Sequence, residues 1–125
     1  GYSESSPLKV ELWYRSNVAS DGMAAITMRA IVQKYLGNLM QLQLNSVESV
    51  TANANVESGA YPMFLWDWSP DFLDADNYIQ PFMECSRGSA SKGCEKGSTV
   101  VQGSFYYNDR VNQLIDRSRK EQNPE

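Results

Sequence analysis

The stretch MFLWDWSPDFLDADNY, residues 63–78, joins an apolar run to a loop rich in aromatic rings and carboxylates. Residues 63–66 form a short and entirely apolar segment, as is typical of a strand buried within a parallel sheet. Asp67, Trp68 and Asp71 follow directly, so acidic and aromatic side chains stand where the predicted strand ends. A flat indole and a carboxylate suit a ligand that is cationic and partly apolar.

Two segments nearer the N-terminus, residues 8–14 and 41–47, alternate apolar and polar side chains and therefore predict strands. A predicted helix over residues 23–36 separates them, and a crossover of that length indicates that the strands pair in parallel. Strands and helices in alternation predict an α/β fold, with a mostly parallel open sheet and flanking helices. The apolar stripe of the helix consists of Ala24, Met28, Ile31 and Tyr35.

The remaining segments predict shorter elements. Residues 48–56 and 76–83 favour short helices, and residues 104–107 favour an edge strand. A last helix follows, with a narrow apolar stripe. Its predicted N-cap is Asn108, while Ser20 or Asp21 is predicted to cap the helix over residues 23–36 and Gly37 to end it.

Length and composition predict one globular domain over residues 1–125. The hydrophobic fraction of 42% and the charged fraction of 21% argue against both disorder and a membrane span. No apolar stretch approaches the ~20 residues that a spanning helix requires. Residues 1–6 lack the basic start and apolar core of a signal peptide, so we expect a mature protein or an excised piece.

Charge and residue usage exclude several function classes. The net charge of −4, without a basic patch, makes nucleic acid a poor partner, because phosphate binding needs clustered Lys and Arg. The sequence contains no His, which removes the commonest general base and the commonest metal ligand. This residue usage disfavours much of enzyme chemistry, and we expect a protein that is not an enzyme and that carries no metal or other cofactor.

The two cysteines, Cys85 and Cys94, stand in a Gly/Ser-rich loop over residues 84–103 that has no apolar anchor. A disulfide closing this loop would stabilise the domain by ~2–3 kcal/mol and would require an oxidising compartment. The alternative is a pair of free thiols in a cytosolic loop. Their spacing excludes a CxxC redox or zinc motif.

Candidate ligand-binding residues follow from the predicted sheet, because ligands of open parallel sheets bind beyond the carboxyl ends of the strands. Residues 67–71 form the richest of these ends. Asp71 could instead be a turn or helix-cap residue, and Trp68 an ordinary core aromatic. A calcium loop starting at Asp74 lacks the required Gly and Glu, and a glycosidase carboxylate pair lacks a supporting sugar-site pattern. The candidates are Asp71, Trp68, Ser69 and Asp67, with Arg15 and Glu48 as further ones.

Several motifs occur in the order found in one protein family. DWSPD at residues 67–71 is similar to that family's Gly/Asn-Trp-x-x-Asp, and DADNY at residues 74–78 to its Asp-Pro-Asp-Asn-Phe. YYNDRVNQLI at residues 106–115 looks like its Tyr-Ser-Asn-Pro-x-Val-Asp-x-Leu-Leu helix start. Over residues 7–121 the chain thus resembles the second lobe of family 5 extracellular solute-binding proteins, which serve oligopeptide, dipeptide and nickel ABC importers.

The resemblance implies one lobe of a two-lobe, periplasmic-binding-protein-like fold that binds peptides outside the cytoplasm, in the periplasm or its equivalent, for delivery to ABC permease subunits. Asp71 would then pair with the α-ammonium group of the ligand, and Trp68 would line the adjoining side-chain pocket. The remaining lobe of the full-length protein would close over the ligand.

Departures from the family pattern leave the ligand open. Asp67 replaces a small or amide residue, Ala75 replaces Pro, and Pro62 replaces Asp before the strand. The same architecture binds a nickel chelate, a sugar or another small solute in some members, so the fold does not settle the ligand. A further alternative is a non-transport interaction domain that exposes Trp13, Trp66 and Tyr106 as an adhesive surface.

Overall fold

The computed structural model describes residues 1–121, which divide into two compact units. The first unit contains Gly1–Val56 and Ala60–Asp67, and the second contains Glu57–Gly59 and the chain from Trp68 onward. No helix in the described part is long and apolar enough to cross a membrane. The predicted domain over residues 1–125 extends beyond the described residues and stays a prediction.

A parallel pair of strands forms the centre of the first unit. β1 (Leu8–Arg15) and β2 (Met40–Val47) pair along their whole length, from Leu8 opposite Met40 to Arg15 opposite Val47. α1 (Ala19–Leu36) connects them, followed by a 3₁₀ turn at Gly37–Leu39. The predicted parallel βαβ unit is therefore confirmed.

The N-terminus of α1 differs from the prediction. The helix begins at Ala19 after Val18, and no side chain caps it. Ser20 or Asp21 was the predicted cap, but both lie inside the first turn, and the Asp21 carboxylate binds Arg15 instead. Gly37 ends the helix as predicted, with a φ of 53° in the left-handed region that glycine tolerates.

The core of the first unit lies between α1 and one face of the two strands. Leu12 and Ala25 are fully buried and Leu42 nearly so, because the small Ala25 side chain lets the helix approach the sheet closely. The predicted apolar stripe does not face this core: Ile31 is 51% and Tyr35 72% exposed. Ala25 and Val32, seven residues apart on the helix, pack against the strands instead.

The predicted strand at residues 63–66 forms a single bridge, between Phe64 and Trp13. Trp13 N–H donates to Met63 O at 2.9 Å, and Leu65 N–H donates to Trp13 O at 2.9 Å. The segment is parallel to β1, as predicted, but pairs over a shorter length. Between β2 and this segment, α2 (Ser49–Glu57) confirms the helix predicted over residues 48–56.

The second unit contains three helices and one hairpin. Its helices are α3 (Ala75–Met83), α4 (Ser98–Val101) and α5 (Asp109–Ser118). Asn108 caps α5 as predicted, because its Oδ1 accepts hydrogen bonds from the N–H groups of Arg110 and Val111. The hairpin consists of β3 (Arg87–Ser89) and β4 (Gly93–Lys96), which are antiparallel.

The edge strand predicted over residues 104–107 is wrong. Phe105 has a φ of 51°, a left-handed conformation that interrupts an extended strand. Its N–H donates to Thr99 O at 3.1 Å, and its carbonyl accepts from Cys94 N–H at 2.8 Å. The segment therefore connects α4 to the hairpin and does not extend a sheet.

The predicted disulfide is present between Cys85 and Cys94, and both residues are buried. The bridge encloses most of the hairpin, so the Gly/Ser-rich loop over residues 84–103 gains regular structure that its sequence does not indicate. Cys85 N–H donates to Asn112 Oδ1 at 3.0 Å, which connects the loop to α5.

Candidate functional site

Arg15 stands at the end of β1, where its guanidinium is held by two carboxylates. Arg15 Nε donates to Asp21 Oδ2 at 2.6 Å, and Nη2 donates to Asp21 Oδ1 at 3.0 Å and to Asp67 Oδ1 at 2.5 Å. The Arg15 side chain is only 13% exposed, whereas that of Asp67 is 69% exposed. The hydrogen bond to Asp21, above all, raises the pKa of Arg15, so the guanidinium stays charged and fixed in place.

Four aromatic side chains form a row that ends beside Arg15, in the order Trp13, Tyr61, Phe64 and Trp66. Ring centroids lie 4.8 Å apart for Trp13 and Tyr61, 5.0 Å for Tyr61 and Phe64, and 5.4 Å for Phe64 and Trp66. Arg15 Cζ lies 5.2 Å from the ring centroid of Trp66. One face of the guanidinium is therefore covered by an indole, in a cation-π arrangement.

The ends of β1 and β2 are tied to each other by polar contacts. Ser16 N–H donates to Val47 O at 2.9 Å, and Ser16 Oγ donates to Glu48 Oε1 at 3.2 Å. Asn17 Oδ1 accepts from both the N–H and the Oγ of Ser49, at 3.2 and 2.7 Å. The predicted candidates Arg15 and Glu48 thus lie at the carboxyl ends of neighbouring strands, as the parallel pairing requires.

Trp68 belongs to the second unit, where its ring packs edge to face against Phe82 of α3 with centroids 5.4 Å apart. Its indole Nε1 is buried and has no hydrogen-bond partner within residues 1–121. Buried donors are nearly always satisfied in folded proteins, and an unsatisfied one costs about 1–3 kcal/mol.

Asp71 has its backbone fixed while its side chain faces solvent. The Asp71 N–H donates to Oδ1 of the buried Asn77 at 3.1 Å. The Asp71 carboxylate is exposed and makes no hydrogen bond or ion pair in the described part of the chain, and Ser69 is exposed as well. This hydrogen bond holds the backbone at Asp71, and the carboxylate remains available.

The neighbouring carboxylates serve the fold. Asp74 is the N-cap of α3, and its side chain accepts from Asp76 N–H at 2.8 Å. Asp76 in turn forms a bidentate ion pair with Arg119, at 2.8 and 2.9 Å, and the hydrogen bond to Asp76 raises the pKa of Arg119. Within residues 1–121 no three His, Cys, Asp or Glu side chains are grouped so that they could hold a metal ion.

Solved structures provide the comparison, since no protein-family model matches the sequence and no curated protein matches it. Haemophilus influenzae OppA in complex with RPPGFSPFR is similar with a TM-score of 0.78 and 18% identity, over 98% of this chain. Escherichia coli MppA, a murein tripeptide binding protein, gives a TM-score of 0.77 at 17% identity over 98% of this chain. This chain has the α/β fold of one lobe of a periplasmic binding protein.

A protein solved with a nickel complex shares the same fold. NikA from Staphylococcus aureus, solved with Ni(L-His)2, matches with a TM-score of 0.73 and 15% identity over 99% of this chain. The chain spans only about a fifth of the length of these solved proteins, 21% of OppA and of MppA and 23% of NikA.

Two features of the site were not predicted from the sequence. Asp21 was expected at a helix cap, yet it is a buried partner of Arg15. The one signal was an acidic residue in the first turn of a helix rich in Ala, Met and Ile. The aromatic row had no signal, since Trp13 and Tyr61 meet only through the packing of segments distant in sequence.

Proposed function

We propose that this chain is the ligand-binding lobe of the substrate-binding component of an ABC importer, which binds peptides outside the cytoplasm for delivery to a membrane permease. The observation that carries the proposal is the fold, which matches peptide-binding OppA over 98% of this chain. The buried disulfide agrees with this location, because disulfides persist in oxidising compartments.

Asp71 is the residue proposed to bind the α-ammonium group of the peptide. Its carboxylate is exposed and unpaired among the described residues, while the hydrogen bond to Asn77 fixes the backbone beneath it. Trp68 is proposed to line the adjoining side-chain pocket. Its ring packs edge to face against Phe82, a contact that holds the indole in place.

The rest of the full-length protein would supply the second wall of the cleft. Hinge closure over the ligand would exclude water and bury the ammonium-carboxylate pair. Breaking such a buried pair costs ~2–5 kcal/mol, whereas an exposed pair is worth under about 1 kcal/mol. We therefore expect negligible peptide affinity for the isolated chain, and micromolar binding in calorimetry would contradict this.

The ammonium role is tested by Asp71→Asn in the full-length protein, with trialanine and N-acetyltrialanine as ligands. The substitution is expected to weaken the binding of trialanine at least tenfold more than the binding of N-acetyltrialanine, because only trialanine carries the ammonium group. Asp116→Asn, which removes another exposed carboxylate, is the control and should change neither affinity. Equal losses for both peptides would refute the role of Asp71.

The second candidate is the same architecture binding a nickel chelate or another small solute, and the similarity to NikA favours it. Mass spectrometry of the ligand that co-purifies with the full-length protein distinguishes the two. A peptide supports the first candidate, whereas a metal chelate or a sugar overturns it.

A further inference from the structure

The Arg15 guanidinium has donors left over after its two ion pairs. Asp21 takes Nε and one N–H of Nη2, and Asp67 takes the other N–H of Nη2. A guanidinium has five N–H donors, so the two on Nη1 remain. Nη1 has no partner among the described residues and is not among their buried unsatisfied atoms, so it reaches solvent.

Asp67 supplies an acceptor beside these donors. Only its Oδ1 is bound to Arg15, and Oδ2 has no partner within residues 1–121. The carboxylate is fixed by a hydrogen bond at one oxygen and open to solvent at the other. Trp66, 38% exposed, adds an apolar surface next to the guanidinium.

We propose that Arg15 and Asp67 form a subsite that binds a neutral amide group of the ligand and rejects a carboxylate. This inference rests on the proposed peptide-binding function and adds a selectivity to it. An amide offers one carbonyl to the Nη1 donors and one N–H to Asp67 Oδ2, so both halves of the pair are used.

Charge explains the discrimination. Arg15, Asp21 and Asp67 together carry a net charge of −1, because one guanidinium faces two carboxylates. A ligand carboxylate would meet an arginine that is already neutralised and an exposed oxygen of like charge. An arginine is a suitable anchor for a ligand carboxylate. Here the Asp67 carboxylate already binds Arg15, so a ligand carboxylate is disfavoured.

The test uses two small probes that differ only at this group, propionamide and propionate. Each is titrated at pH 7 into the full-length protein, ¹⁵N-labelled at arginine and tryptophan, and the Arg15 Nε–H and Trp66 indole signals are followed by NMR. The variant is Asp67→Asn, which keeps the shape of the side chain and an acceptor for Arg15. The control is Glu11→Gln, which removes one carboxylate from the same unit, away from the end of β1.

The unsubstituted protein is expected to bind the amide probe about fivefold or more tightly than the carboxylate probe. Asp67→Asn is expected to shift this ratio of affinities about tenfold toward the carboxylate probe. Glu11→Gln should leave the preference unchanged. The proposal is overturned if neither probe perturbs the Arg15 signal, if both bind equally, or if the control shifts the preference as far as Asp67→Asn. None of these results touches the ammonium role of Asp71, which is tested separately with acetylated and free peptides.

Discussion

Arg15 Nη2 and Asp67 Oδ1 lie 2.5 Å apart although 52 residues separate them along the chain. The contact fixes the end of residues 63–66 against the end of β1, where backbone pairing is limited to one bridge. Asp21, from the first turn of α1, holds the same guanidinium from another side. One arginine thus connects three segments at the carboxyl end of the sheet.

Removing the buried partner of this arginine should destabilise the fold. Asp21→Asn leaves the Arg15 guanidinium, 13% exposed, without its bidentate acceptor, and we expect a loss of about 2–4 kcal/mol in the free energy of unfolding. Urea denaturation measures it. Glu95→Gln, which weakens exposed ion pairs to Arg87 and Lys92, is the matched control and should cost under about 1 kcal/mol. Similar losses in the free energy of unfolding of the two variants would mean that the burial of Asp21 does not strengthen its ion pair with Arg15.

The disulfide should stabilise the chain chiefly by restricting the unfolded state. Replacing both Cys85 and Cys94 by Ala is expected to lower the free energy of unfolding by about 2–3 kcal/mol, as for other short closed loops. Urea unfolding of the double variant and of the oxidised chain gives the difference. Because both cysteines are buried, the folded chain should also react slowly with a reductant, which a thiol-trapping assay follows. Equal unfolding midpoints would show that the bridge contributes nothing.

Two glycines should respond to alanine in opposite directions. Gly22 lies inside α1, and a Cβ there would meet only the Tyr14 ring at 3.5 Å, an ordinary contact. Gly22→Ala should therefore raise the free energy of unfolding by about 0.5–1 kcal/mol through helix propensity.

Gly88 lies in the hairpin, where a Cβ would come within 2.9 Å of Cys94 Cα and 2.8 Å of the Tyr107 ring. Since backbone atoms cannot move aside, Gly88→Ala should destabilise the hairpin by about 1–3 kcal/mol. Thermal unfolding measures both variants. A stable Gly88→Ala protein would contradict the close packing of β3 on β4.

The Tyr107 phenol should titrate above its ordinary range. Its hydroxyl donates to Asp109 Oδ1, and this hydrogen bond is the main reason that the pKa of Tyr107 is raised. Since the bond favours the protonated phenol in the folded chain, it supports the fold below pH 10.0 and is lost as the pH rises through the raised pKa.

NMR of the ring carbons of Tyr107 follows the titration, since seven tyrosines overlap in absorbance. Asp109→Asn should lower the pKa of Tyr107 toward its ordinary value, whereas Asp116→Asn should leave it in place. If the pKa stays the same in Asp109→Asn, the hydrogen bond is not its cause.

Much of the fold could be predicted because it depends on local patterns. Alternation over residues 8–14 and 41–47 with a helix between them predicted the parallel pair. Asn108 predicted a helix start through its side-chain oxygen, and Gly37 predicted a helix end through the left-handed φ that glycine tolerates. The disulfide followed from composition, since only two cysteines are present. Each of these properties belongs to neighbouring residues or to residue type.

The wrong predictions share a different origin. Asp21 resembles a cap in sequence, but a buried guanidinium competes for its carboxylate. Residues 104–107 resemble a strand, but Phe105 adopts a left-handed conformation that hydrogen bonds to Thr99 and Cys94 stabilise. In both, contacts with distant segments override the local preference.

The sequence by itself determined the α/β class and the parallel βαβ unit, and it named Cys85–Cys94 as the possible disulfide and Trp68 and Asp71 as candidates, because periodicity and residue chemistry can be read along the chain. Only the tertiary structure decided that Arg15 is bound by Asp21 and Asp67, that the indole N–H of Trp68 is buried unpaired, and which side of α1 is buried. These properties depend on which side chains meet across the fold, and the energy of a charge or a donor is set by the partners it meets there.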